Sequence, residues 1–364
     1  MFLEKLSVLN FKNHLDSSLE LHASINCFVG ENGSGKKNLL DAVHYLSLTK
    51  SFLNKQDQLN ISYQQPFMAI EGVFNHHNKK EYIQCAVKLG AKKVFRKNKK
   101  VYNKLADHIG LFPLVMVSPT DSDLLLSGSE VRRKFMDSVI SQFDRMYLQH
   151  LISYNRMIIQ RNALLKSQKY SQSDIQLYDE RIAPLAHYIY EKRCYFLNEL
   201  LPVFLEYYLK ISGKNEDVNI SYHSQLSEES YQVLCHQHQQ KDQALQYSTV
   251  GIHKDDLVFS LQQQLVKRVG SQGQQKTFLL ALKLAQFDFM KTALGFKPLL
   301  LLDDIFDKLD QRRVQHLMEL IHQHHFGQLF VTDTNQDRTK TVFNNINAEF
   351  KLFIIKNGSI EKKY

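Results

Sequence analysis

Gly30-Glu31-Asn32-Gly33-Ser34-Gly35-Lys36-Lys37 packs three glycines and two adjacent lysines into eight residues. It follows the short apolar run Ile25-Asn26-Cys27-Phe28-Val29 and precedes Leu39, Leu40, Val43 and Leu46, which recur at helical spacing. A glycine-rich loop ending in Gly-Lys between a strand and a helix is the context a P-loop requires. Its glycines let backbone N–H groups turn inward on phosphate oxygens, and the helix N-terminus adds the positive end of its dipole. Gly30, Glu31, Asn32, Gly33, Ser34 and Gly35 are therefore expected to cradle a triphosphate, with Lys36 on the β- and γ-phosphates. A plain glycine-rich turn is the competing reading, and the flanking strand and helix argue against it.

Position 37 departs from the motif. A Ser or Thr there places its hydroxyl on Mg²⁺; this chain has Lys37, whose ammonium offers a metal no lone pair and repels it. ATP is still expected to bind through the backbone and Lys36. Mg²⁺ is expected to be weakened or rearranged, and hydrolysis to be weak, slow or absent. Lys37 is expected to stand in partly for the metal, pairing with Asp303 and touching a phosphate oxygen.

Leu299-Leu300-Leu301-Leu302-Asp303-Asp304 is the second half of such a site, a Walker B-like strand end. The first carboxylate, Asp303, is the expected Mg²⁺ ligand and the second, Asp304, the group that polarises the attacking water, beside Lys36 as the other catalytic candidate. Two adjacent carboxylates at the end of a buried strand are costly without a partner. About 30 residues upstream, Ser271-Gln272-Gly273-Gln274-Gln275 opens a helix and makes a further anion site. An ordinary helix cap is the alternative there.

Outward from these motifs, one α/β lobe is expected from both chain ends: residues 1–120 with the P-loop, and residues 245–364 with the serine-bearing turn and the carboxylate pair. A mostly helical lobe is inserted at 121–244, where Phe143, Tyr147, Leu151, Tyr154 and Ile158 trace one face of a long helix and Gly213-Lys214-Asn215 marks a break. Two domains suit 364 residues. No apolar run approaches the ~18 residues of a membrane span. Glu4, Lys5 and Asn10 break any signal-peptide stretch. Four scattered cysteines without a CxxC argue against a disulfide or zinc scaffold, so a reducing cytoplasm is expected. The dense histidines around 236–238 and 322–325 read as polar helix faces rather than metal sites.

Taken as a set, these residues resemble the RecF family, short-armed bacterial relatives of SMC-type ATPases in DNA recombination and repair. The matching pieces span nearly the whole chain: Asn10 to Asn13, Gly30 to Lys36 with Asn38-Leu39-Leu40, Ser118-Pro119 with Asp121, Arg132 to Asp137, Gln160 to Leu165, Gly251 to Asp256, Ser271 to Gln275 and Leu301 to Asp310. Departures are Lys37 for threonine, Ile252 for proline and Lys254 for arginine. The resemblance implies an ABC-type ATPase head that dimerises by clamping two ATP molecules. Ser271 and Gly273 of one subunit would meet the γ-phosphate held by the other, Asp310 would lie across the interface, and Lys12 would sit near the nucleotide. No catalytic role is expected for Thr332-Asp333-Thr334, and that of His253 to Asp256 stays open. The implied function is ATP-dependent binding of gapped or single-strand/double-strand junction DNA in replication and repair, helping to install the recombinase with RecR and RecO.

The net charge of +9 suits nucleic acid. Residues 88–104 carry Lys88, Lys92, Lys93, Arg96, Lys97, Lys99, Lys100 and Lys104 with no acidic residue, interleaved with Val94, Phe95, Val101 and Tyr102. A hairpin with one packed face and a phosphate-tracking patch is expected, with Lys92, Lys93, Arg96, Lys97, Lys99 and Lys100 as DNA contacts. A lysine-protected sheet edge is the bland alternative. Two other functions share the phosphate machinery: a non-hydrolysing ATP-binding DNA scaffold switched off by Lys37, and a transporter ATPase subunit, which leaves the basic segment unexplained.

Overall fold

The computed structural model describes all residues except 55, 77, 168, 215, 305, 307–310, 324 and 364, and the backbone alone at 311, 312, 362 and 363. Asp310, expected at a subunit interface, lies outside the described residues. The chain divides into two compact units, residues 1–121 with 286–364, and residues 122–285.

The first unit opens with β1 (Phe2–Phe11), β2 (His14–Glu20), β3 (Ile25–Val29) and α1 (Lys36–Leu48). Then come β4 (Phe67–His76), β5 (Lys79–Lys88), β6 (Val94–Lys97), β7 (Lys100–Val101) and β8 (Leu114–Val117). β1, β2 and β4 to β7 form an antiparallel sheet in the order β2-β1-β4-β5-β6-β7. A register shift between Leu3 and Lys5 lets Leu3, Leu6 and Val8 all face the core, which strict alternation would forbid.

In the second unit α2 (Ser122–Leu126), α3 (Ser129–Ile140), α4 (Arg145–Ser167) and the 41-residue α5 (Gln172–Ser212) precede β9 (Val218–His223). α6 (Tyr231–Leu245), β10 (Asp256–Leu261), β11 (Gln264–Leu265), α7 (Val266–Val269) and the part of α8 (Gln272–Leu294) up to Ala285 complete it. α5 ends where Gly213 takes the left-handed cap, at the break expected from sequence. β9 pairs antiparallel with β10. That pairing carries the second unit past the expected boundary at 244, to Ala285, and the serine-bearing turn goes with it. Of the expected α4 face, Tyr147, Tyr154 and Ile158 are buried.

The chain then returns to the first unit with β12 (Leu299–Leu302), β13 (Leu329–Asp333), β14 (Phe350–Lys356) and β15 (Ser359–Lys363). These join β3 and β8 in a second six-stranded sheet, β15-β14-β3-β13-β12-β8. Its strands β14, β3, β13, β12 and β8 run parallel. Every residue of β3, β8, β12 and β13 is buried, as a parallel sheet covered on both faces requires. Leu39, Leu40, Val43 and Leu46 of α1 join one apolar core with residues of both sheets.

Candidate nucleotide site

Parallel strands end at one edge of their sheet, and ligands of open α/β sheets gather there. β13 lies between β3 and β12, so the loop after β3 and the carboxylates after β12 emerge at the same edge, one strand apart. The structure thus brings together residues nearly 270 positions apart in sequence.

The loop is held from below by backbone. Gly30 N donates to the Asp333 carbonyl at 3.2 Å and Gly358 N to the Ser34 carbonyl at 2.8 Å. The β1–β2 turn holds it from the side: Asn13 Nδ2 donates to Ser34 O at 3.1 Å, Asn38 Nδ2 donates to Asn13 Oδ1 at 2.7 Å, and His14 Nε2 lies 3.1 Å from Gly35 O. These contacts explain Gly35. It has φ +116°, and a Cβ there would lie 2.7 Å from His14 Nε2 and 2.8 Å from Asn13 Oδ1.

Lys36 opens α1 and is almost fully buried. Its ammonium folds back on the loop, donating to Gly30 O at 2.5 Å and Glu31 O at 2.7 Å. Burial lowers its pKa, a pull opposed chiefly by the Asp304 charge. Ser34 Oγ is buried with no hydrogen-bond partner among the described residues, an uncommon state for a buried hydroxyl. A cradle with a cationic side chain, a helix N-terminus and an orphaned hydroxyl fits a triphosphate. Gly30 to Lys36 would hold it.

The metal position is different. Lys37 Nζ lies 2.8 Å from Asp304 Oδ2 and 3.2 Å from Asp303 Oδ2. The expected pair with Asp303 is present, and Asp304 joins it. Burial pushes the Asp303 carboxyl up, and the Lys37 charge pulls it back. Burial also works to lower Lys37, but the Asp304 hydrogen bond and the two carboxylate charges outweigh it and hold the ammonium above its ordinary range. With an ammonium seated on both carboxylates, the residues here do not fit Mg²⁺ bound in the usual P-loop manner.

Several participants escaped the sequence reading. Thr332 Oγ1 donates to Asp303 Oδ1 at 3.0 Å and accepts from Asp304 N at 2.8 Å, bracing a turn in which Asp304 has φ 47°. Asp333, fully buried, accepts from Thr339 Oγ1 at 2.7 Å and pairs with Arg338. Asp41 anchors Lys12, whose ammonium lies 2.5 Å from Asp41 Oδ2; Asp41 also accepts from Ser51 Oγ and Phe52 N. Lys12 is thereby engaged with α1. No spacing rule links these pairs, so only proximity in the fold reveals them.

In the second unit, Ser271 is exposed at the start of α8. Its hydroxyl accepts from Gln274 N at 3.2 Å, while Gln274 Oε1 accepts from Ser271 N at 2.8 Å. Ser271 and Gln274 thus form a reciprocally capped helix start, with Gly273 in the first turn between them. In the Gly251–Asp256 segment, His253 Nδ1 lies 2.7 Å from Tyr154 Oη, and Arg193 donates to Ile252 O at 2.8 Å and Asp255 Oδ2 at 2.7 Å. That is a bracing arrangement.

Residues 94–101 form the expected hairpin, turning through Asn98 and Lys99 at φ 50° and 68°. Phe95 packs inward while Val101 is exposed. The patch is smaller than expected, however. Lys93 is turned inward, donating to Thr49 O at 2.5 Å and pairing with Asp57 at 3.0 Å. Arg96 donates to Gln84 Oε1 and Lys97 pairs with Glu81. Lys92, Lys99 and Lys100 are exposed.

The family model described as RecF/RecN/SMC N terminal domain matches residues 2–360. The chain belongs to the RecF family. It is 45% identical over 357 residues to the DNA replication and repair protein RecF of Flavobacterium johnsoniae, covering 97% of this chain and 99% of that one. Identity to the RecF of Phocaeicola vulgatus is also 45%, over 366 residues, covering 100% and 99%. Among solved structures, the recombination mediator protein RecF-ATP of the RecFOR pathway superposes with a TM-score of 0.90 at 26% identity, covering 100% of this chain and 97% of that one. The ABC/SMC-head type of α/β fold implied by the resemblance is thereby confirmed. Among the described residues, no helix is long and apolar enough to cross a membrane.

Proposed function

We propose that this chain is an ATP-binding, DNA-binding protein of replication and recombinational repair, working in the cytoplasm, in which the nucleotide acts as a conformational ligand. The observation that carries the reading is the cradle itself. Gly30 to Lys36, with a folded-back lysine and an orphaned Ser34 hydroxyl, is set one strand away from Asp303 and Asp304 in a chain alignable end to end with RecF proteins. A RecF has been solved with ATP. Here ATP would be held by the loop N–H groups and Lys36.

ATP stabilises whichever form binds it better. In this reading that form is a homodimer, with Ser271 and Gly273 of one copy completing the phosphate site of the other. Gapped or junction DNA is the substrate surface, contacted by Lys92, Lys99 and Lys100. RecR and RecO are the expected partners in recombinase loading. Turnover is slow, because Lys37 occupies the carboxylates that would place a metal and polarise water.

Sedimentation velocity tests this directly. ATP should convert monomers to dimers, gapped DNA should favour the dimer further, and Lys36→Met should stay monomeric. Monomers at every ATP concentration, with DNA present, would refute the clamp. A transporter subunit would bind gapped DNA no better at low salt than at high.

A further inference from the structure

Position 37 holds a cation that the chain carries itself. Lys37, in the first turn of α1, directs its ammonium at both carboxylates of the β12 strand end, 2.8 Å from Asp304 and 3.2 Å from Asp303. The other Asp303 oxygen takes the Thr332 hydroxyl at 3.0 Å. The carboxylate pair is therefore supplied with positive charge and hydrogen bonds by protein groups alone. A divalent ion would have to displace the ammonium from its two acceptors and then sit beside Lys37 and Lys36, two like charges at short range. An ammonium has three protons. Two carboxylates, Asp303 and Asp304, lie within ion-pair distance of it, so the ammonium has a donor to spare. The Lys37 side chain is 43% exposed, against 3% and 11% for the two carboxylates. Its head thus spans the buried acids and the open side of the site.

We propose that the Lys37 ammonium is a resident cation replacing the divalent metal, so that this chain binds nucleoside triphosphate without a divalent ion. The proposal rests on the reading of Gly30 to Lys36 as a triphosphate cradle. It makes a specific claim about ligand form: the metal-free triphosphate is the ligand, and divalent ions in excess compete by drawing it into the chelate. Lys36 supplies charge from the loop side and Lys37 from the carboxylate side. At Asp303 and Asp304 the one ammonium offsets one of the two negative charges, where a divalent ion would offset both.

The test is equilibrium binding of a fluorescent ATP analogue (mant-ATP) to the full chain, in EDTA and in millimolar Mg²⁺. Wild type should bind in EDTA at least as tightly as in Mg²⁺. Lys37→Thr should lose about 10- to 100-fold in EDTA, the value of one charge-assisted hydrogen bond to an anion, and should recover in Mg²⁺. Lys37→Met, which keeps the stem but has neither charge nor hydroxyl, should lose the same affinity in EDTA and recover much less in Mg²⁺. Thermal melts of each variant without nucleotide confirm folding. Wild-type binding that needs Mg²⁺ by 10-fold or more would overturn the proposal and leave the cradle reading intact. So would a Lys37→Thr variant as tight as wild type in EDTA. Absence of wild-type binding in both buffers would overturn the cradle reading and the proposal together.

Discussion

Arg193→Met should be among the most damaging single substitutions in the second unit. The Arg193 side chain is 1% exposed and pairs with Asp255, itself fully buried, at 2.7 Å and with Asp137 at 2.9 Å. It also donates to the Ile252 carbonyl at 2.8 Å and lies 3.1 Å from Tyr147 Oη. Removing one partner of such a pair strands a buried charge, which costs about 3–5 kcal/mol. At roughly 2–4 °C per kcal/mol for units of this size, the melting midpoint should fall by about 6–20 °C. The loss also has a pH signature. Burial already raises Asp255, opposed first by the Arg193 charge, and the variant removes that opposition. A carboxyl with a folded-state pKa above its unfolded value binds its proton more tightly in the folded state, so stability falls as pH rises through that window. The deficit of the variant should therefore shrink as pH is lowered from neutrality toward 4. Calorimetry on wild type, Arg193→Met and Lys210→Ala, whose exposed pair with Glu206 is worth less than about 1 kcal/mol, measures all of this. A fall below about 3 °C, or a deficit that grows at lower pH, would refute the reasoning.

Two further outcomes can be checked on the same preparations. Replacing Lys92, Lys99 and Lys100 by glutamine should lower DNA affinity and reduce the slope of log affinity against log salt by about 2–3, at roughly 0.9 per lost phosphate contact; Lys93→Gln should leave that slope alone and lower the melting midpoint instead, because it leaves Asp57 without its ion-pair partner. Unchanged slope in the triple variant would remove the hairpin from the DNA surface. His108 and His253 are both held down to about 4 by burial, so the unfolded chain binds their protons near 6.5 and the folded chain only near 4. Stability should drop as pH falls across that interval, and His108→Gln should flatten the dependence; a midpoint constant from pH 7 to 4 would contradict it.

The chemistry of the nucleotide site was written locally and could be read locally. A glycine-rich loop, a lysine at its end, a strand before and a helix after lie within one continuous stretch, and each residue type has a distinct backbone or charge reason for its place. The run of leucines before Asp303 and Asp304 was legible for a similar reason, since a strand buried on both faces has no polar alternation. The oddness of Lys37 needed no structure either, because an ammonium cannot do what a hydroxyl does for a metal. Apart from the Lys37–Asp303 pair, what stayed hidden was the contacts between distant segments. Asn13 and His14 hold the loop, Thr332 holds the carboxylate turn, and Asp41 takes Lys12, yet nothing in their spacing says so. β9 reads as part of a helical stretch until β10 pairs with it. Lys93 looks like its neighbours in a basic run until Asp57 and the Thr49 carbonyl draw it inward.

Sequence alone determined which groups are available: the phosphate loop, the acid pair, the stray ammonium and a surplus of positive charge. Tertiary structure alone decided which of them meet. Side-chain charge and backbone freedom are properties of single residues and short spans. Pairing, burial and the loss of a lysine from the surface depend on strand order and on where helices pack, which no short span encodes.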